Sequence, residues 1–240
     1  MTSIALTNIE TLVTNSAELG EGLLGTSSHM TLVIEDEKVA ALSNRTPDGV
    51  DRVIDCSGKT VIPGFVDSHT HLIFAGDRSE EFASRSRGEK YSAGGIKTTV
   101  AATRAASNSK LTSNAQLLLD EALSHGTTTV EIKTGYGLTR ADEIRSLEIA
   151  STFTDEITLL AAHVVPEEFT GDSDAYVELI IKEIIPVVKM PIKDPGEPIT
   201  PTHQPCFGDS PIHSKPGKVL ATATPATSEL SFQAINVPLT

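Results

Sequence analysis

Three short apolar runs, each closed by polar residues and separated by stretches of helical periodicity, limit what this chain can fold into. They are residues 65–71 (FVDSHTH), 127–134 (TTTVEIKT) and 157–163 (ITLLAAH). Helices are expected between and after them, roughly over 96–107, 114–125, 141–153 and 174–185. Strands that alternate with helices form βα units, and βα units form a parallel sheet. The fold class is therefore α/β, with the three runs as buried strands. In such folds ligands gather at the C-terminal ends of the strands, where the polar residues of these runs lie.

The flanks read differently. Residues 1–64 suit a small β domain of short strands and turns. Residues 30–42 (MTLVIEDEKVAAL) give two apolar runs around an acidic turn, the pattern of a hairpin. A second turn, Ser57-Gly58-Lys59, separates the β-rich pairs 53–54 and 61–62. A small antiparallel sheet follows, and a sheet of that size needs something to pack on. Residues 187–240 hold nine of the 13 prolines. Between Pro191 and Pro205 a proline recurs every three to four residues, which excludes a helix there. Residues 187–214 read as irregular. The division is thus 1–64, 65–186 and 187–240.

Charge and cysteine content narrow the class. Nineteen basic and 32 acidic side chains leave a net charge of -13, which argues against unaided binding to nucleic acid or to an anionic membrane. Cys56 and Cys206 are too few for a disulfide framework. No apolar run approaches the ~20 residues of a membrane span. The first residues, MTSIALTNIETLVTN, lack the basic and long apolar regions of a signal peptide. A cytoplasmic protein is expected.

The sharpest chemical signal is the string Pro63-Gly-Phe-Val-Asp-Ser-His69-Thr-His71. Residues i and i+2 of a strand point to one face, so His69 and His71 can offer two imidazoles to one ion. Imidazole is the commonest protein ligand for zinc and also suits iron. The plainer explanation is two polar residues at a strand end.

The whole string resembles the first barrel strand of the amidohydrolase superfamily, which also follows a small N-terminal β domain. Further segments resemble the imidazolonepropionase family within it. They are residues 71–82 (HLIFAGDRSEEF), Gly94-Gly95-Ile96 with Thr103-Arg104-Ala-Ala-Ser107, residues 126–138 (GTTTVEIKTGYGL) and residues 160–166 (LAAHVVP). They stand in the family's order, and the resemblance covers about residues 30–186.

The resemblance implies a partial (β/α)8 barrel, first strands and helices only, beside the small β domain. It implies that His69 and His71 bind one metal ion, zinc or iron. It implies that Arg78 meets a substrate carboxylate, which a guanidinium suits. An ion pair with Glu80 or Glu81 is the alternative. Tyr136, in a Gly-Tyr-Gly loop, would contact substrate through its hydroxyl, or pack as a turn aromatic. His163, at the end of its strand, would hydrogen-bond the ring carbonyl, or be a satisfied core histidine. Glu131 and Lys133 read as a structural pair. His29 falls in a predicted loop, and His125 suits a helix C-terminus. His203, His213 and Cys206 lack the paired spacing of a zinc motif.

The reaction implied is hydrolytic opening of 4-imidazolone-5-propanoate to N-formimidoyl-L-glutamate, in histidine degradation, and a homodimer is implied with it. The family also takes a metal His from a later strand and an Asp from the eighth. No residue of this chain has the strand context for either; His203 and Asp209 do not follow apolar runs. Residues 215–224 and 228–240 resemble the family's C-terminal strands, which complete the small β domain. Two protein ligands bind zinc weakly compared with the three of catalytic sites. This chain on its own is therefore expected not to turn substrate over. Another cyclic amidase or aminohydrolase of the superfamily, and a non-catalytic truncated homologue, are the alternatives.

Overall fold

A computed structural model of the chain describes residues 3–36, 38–88, 94–188, 221–225 and 230–234. They fall into two compact units. One comprises Met1–Asp67, Asp120–Thr129 and Ser210–Thr240; the other comprises Ser68–Leu119 and Val130–Asp209. The irregular segment expected over 187–214, with His203, Cys206, Asp209 and His213, lies outside the described residues apart from its first two.

The first unit is built on β1 (Ser3–Val13). Its buried Ile4 and Leu6 keep the period of two, and then the register against β2 (Thr26–Glu35) shifts between Leu6 and Ile9. Asn8 takes the extra place in a left-handed conformation (φ 54°). That break hid β1 from a search for clean alternation. The expected hairpin is present: β2 pairs antiparallel with β3 (Lys38–Ser43) across the acidic turn.

The expectation of a purely antiparallel sheet is corrected. β4 (Arg52–Asp55) and β5 (Thr60–Ile62) both run parallel to β1, at Ile4–Thr7 and Thr11–Leu12 respectively. The turn between them answers the irregularity in β1. Asn8 Nδ2 donates to Asp55 Oδ1 at 3.0 Å, and Cys56 N–H donates to the Thr7 carbonyl at 2.8 Å. His29, expected in a loop, lies inside β2, because β2 keeps pairing with β1 down to Val13–Thr26. Two later strands, β6 (Ala221–Pro225) and β7 (Leu230–Ala234), extend the sheet through antiparallel pairing of β5 with β6 and of β6 with β7. The core gathers Ile4, Leu6, Ile9, Leu12, Leu32, Ile34, Cys56 and Val61.

Three strands form a second sheet in the order β8 (Phe65–Thr70), β9 (Thr127–Lys133), β10 (Ile157–Thr158). β9 and β10 are parallel, with Ile132 opposite Ile157. Val130 and Ile132 point into a core with Ile73, Leu111, Ala115 and Ile149. Glu131 and Lys133 take the other face, as the period of two requires. β8 departs from the expected buried strand, for Phe65 and Val66 are 44% and 42% exposed. Among the described residues β8 has a strand neighbour on one side only, β9.

The helices are α1 (Ser79–Ser86), α2 (Gly94–Ala105), α3 (Asn108–Ser124), α4 (Arg140–Ala150) and α5 (Ser173–Leu179). α1 buries no residue, which is why apolar periodicity does not announce it. α5 runs on through a π-helical stretch, Ile180–Ile184, into α6 (Ile185–Val188). Pro186 explains the widening: it has no N–H to donate, and its ring would clash with the carbonyl of Lys182 in an unbroken α-helix. Among the described residues no helix is long and apolar enough to cross a membrane.

Candidate active site

The string after β8 sets the site. His69 is the fifth residue of β8 and His71 follows its end. Their ring centroids lie 5.5 Å apart, so the i, i+2 spacing does place both imidazoles together. Thr70, between them, points the other way and donates its hydroxyl to the Glu131 carbonyl at 2.6 Å. Behind the strand end, Ala75 N–H donates to Thr103 Oγ1 at 3.0 Å, which ties the following segment to α2.

Two further rings close on His71. His163 lies at 4.9 Å and Tyr136 at 5.2 Å between centroids, and those two are 5.6 Å apart. His163 does not end a strand as expected. β10 stops at Thr158 because the Thr134 hydroxyl takes the next ladder N–H, from Leu160, at 3.0 Å. The backbone then turns, with His163 N–H donating to the Leu160 carbonyl at 3.0 Å. Gly135 is the residue this turn requires. Its φ is 122°, and a Cβ there would stand 2.9 Å from His163 Cβ.

Burial lowers the basicity of both inner histidines. His71 is pushed down to about 4, first by loss of water and then by the neighbouring His163 and His69. His163 is lowered by burial and by His69. Both rings are thus neutral near pH 7 and keep a nitrogen lone pair.

Arg78 takes the alternative that the sequence left open. Its Nε and one terminal nitrogen donate to the two Glu81 oxygens at 2.8 and 2.7 Å, a bidentate pair at the start of α1. Lys133 Nζ pairs with Glu131 Oε1 at 2.5 Å, and Thr158 donates its hydroxyl to the same oxygen. Glu131 Oε2 is buried without a partner among the described residues.

The donors fit a zinc or iron ion in kind. His71 Nδ1 is buried and has no hydrogen-bond partner among the described residues, the condition of an imidazole awaiting a ligand. They fall short in number. Among the described residues no group of three His, Cys, Asp or Glu is close enough to hold an ion.

The sequence did not reveal the frame of the Tyr136 loop. Glu143 Oε1 accepts the N–H groups of Gly137 and Leu138, and Arg104 Nε donates to the Gly137 carbonyl at 2.7 Å. Arg104 also pairs with Glu168 at 2.9 Å. Thr139 at the head of α4 is the one readable signal: Thr-x-x-Asp marks a helix start, and its hydroxyl accepts from Asp142 N–H at 3.1 Å.

Residues 52–155 match the amidohydrolase family. An imidazolonepropionase of Nocardia farcinica is 50% identical over 187 residues, 78% of this chain and 48% of its own length. One of Salinispora arenicola is 52% identical over 181 residues, 75% of this chain and 46% of its own. The atrazine chlorohydrolase of Arthrobacter aurescens TC1 complexed with zinc is 20% identical, with a TM-score of 0.44 over 65% of this chain and 35% of that one. Over about three quarters of its length the chain is similar to imidazolonepropionases, residues 52–155 match the amidohydrolase family model, and the chain spans about half the length of the relatives it matches.

Proposed function

We propose that this chain carries the first part of a hydrolytic site that opens 4-imidazolone-5-propanoate to N-formimidoyl-L-glutamate. The observation that carries the reading is the convergence of His69, His71, Tyr136 and His163, with neighbouring ring centroids 4.9 to 5.6 Å apart. Roughly half-identical imidazolonepropionases support the choice of substrate.

His69 and His71 would hold a zinc or iron ion with ligands from beyond the described residues. Such an ion supplies Lewis-acid polarisation of the amide carbonyl. The chain's own residues bind and orient. Neutral His163 presents one N–H, which can donate to the ring carbonyl oxygen. The Tyr136 hydroxyl can donate to, or accept from, the ring edge. Arg78 would meet the propionate, sharing with it the guanidinium that now faces Glu81.

Calorimetric titration of the purified chain tests this, with 4-imidazolone-5-propanoate, hydantoin and dihydrouracil as ligands. Binding of the first, weakened about tenfold in Tyr136→Phe and in His163→Ala as for one lost hydrogen bond, is expected. Binding of hydantoin or dihydrouracil with the first ignored would overturn the choice of substrate.

A further inference from the structure

Glu143 is fully buried in the first turn of α4. A carboxylate there ordinarily serves its own helix, satisfying N–H groups of the first turn. This one faces the preceding loop instead. Oε1 accepts Gly137 N–H at 2.9 Å and Leu138 N–H at 2.7 Å, and the Thr134 hydroxyl also hydrogen-bonds the carboxyl.

The loop it holds would not keep its shape by local preference. Leu138 sits in the left-handed region (φ 57°), unusual for a branched side chain. A Cβ on Gly137 would come within 2.6 to 2.8 Å of Asp142 and Glu143, so the loop lies directly on the first turn of α4. With Arg104 holding the Gly137 carbonyl and Glu143 the Leu138 N–H, both polar groups of the 137–138 peptide are bound to side chains. Tyr136 is the residue before it, and its ring stands between His71, His163 and, at 6.4 Å, Phe74.

We propose that Glu143 is a positioning residue. Its carboxyl fixes the 135–138 backbone and thereby sets Tyr136 against His71 and His163. The consequence for substrate rests on the role proposed above for Tyr136. The consequence for the loop does not.

Fluorine NMR of the chain labelled with meta-fluorotyrosine separates the two. The sequence has three tyrosines, Tyr91, Tyr136 and Tyr176, so a Tyr→Phe change at each assigns its resonance. Glu143→Ala should shift and broaden the Tyr136 signal, and Glu143→Gln, which keeps the acceptor oxygen, should restore it. Should the alanine variant not fold, Glu143→Asp draws the same oxygen back and is read the same way. An unmoved Tyr136 signal in a folded variant, or a Tyr136 signal that Glu143→Gln disturbs as much as Glu143→Ala does, would overturn the proposal.

The ligand arm is a double-mutant cycle with 4-imidazolone-5-propanoate. Tyr136→Phe and Glu143→Asp should each weaken binding about tenfold, as for one lost hydrogen bond, and together little more than either alone. Additive losses would mean that Glu143 does not act through Tyr136. No binding by the unaltered chain would remove the substrate reading and leave the fluorine result to decide on the loop.

Discussion

His71 concentrates the chemistry of the site, since the rings of His69, Tyr136 and His163 all stand within 5.5 Å of it. The close approach of His163 depends on one residue without a side chain. Gly135→Ala would force an alanine into φ 122° and against His163 Cβ. A loss of more than about 1 kcal/mol is expected from urea denaturation, with the His163 ring displaced. A second residue-scale prediction concerns Cys56, fully buried in the sheet core, where burial pushes its thiol up. In a Cys206→Ala background, a disulfide reagent should label Cys56 only as fast as the chain unfolds. Rapid labelling of the native protein would contradict its place in the core. The sequence showed His69 and His71 because two imidazoles at i, i+2 need only a strand to meet. It left Arg78 between a substrate carboxylate and an ion pair with Glu80 or Glu81, and the fold pairs it with Glu81. It could not show Glu143, whose work is set by loop N–H groups that only the folded chain turns toward it.

At the scale of elements, the period-two and period-3.6 patterns found β9 and α2 through α5 within a few residues, because packing decides those. Ile132 on β9 is fully buried among Leu111, Ala115 and Ile149. Ile132→Ala should cost roughly 2–5 kcal/mol, read from the denaturation midpoint. Thr139→Ala removes the cap of α4 and should cost about 1 kcal/mol. The same helix carries a pH-dependent contribution. Burial raises the Glu143 carboxyl above its ordinary value, so the folded chain holds that proton more tightly than the unfolded one. Its contribution to stability therefore falls as pH rises from the ordinary glutamate range. Glu143→Gln should flatten that part of the stability profile; an unchanged slope would contradict the assignment. The bulged β1 and α1, which buries no residue, lack a periodic signature, and the strand expected over 157–163 stops at Thr158, where the Thr134 hydroxyl takes the next ladder N–H.

At the scale of the whole molecule, the chain spans about half the length of the imidazolonepropionases it matches. His69 and His71 stand together, and among the described residues no group of three His, Cys, Asp or Glu is close enough to hold an ion. The small β domain, by contrast, receives strands from both ends of the chain, β1 to β5 and then β6 and β7. The most direct test of the account is zinc binding by equilibrium dialysis, comparing the unaltered chain with the His69→Ala, His71→Ala double variant. The account predicts weak uptake by the unaltered chain, at least about tenfold weaker in the variant, as for loss of the ligands themselves. Equal uptake by the two proteins would mean that His69 and His71 do not hold the metal, and the proposed site would fall with them.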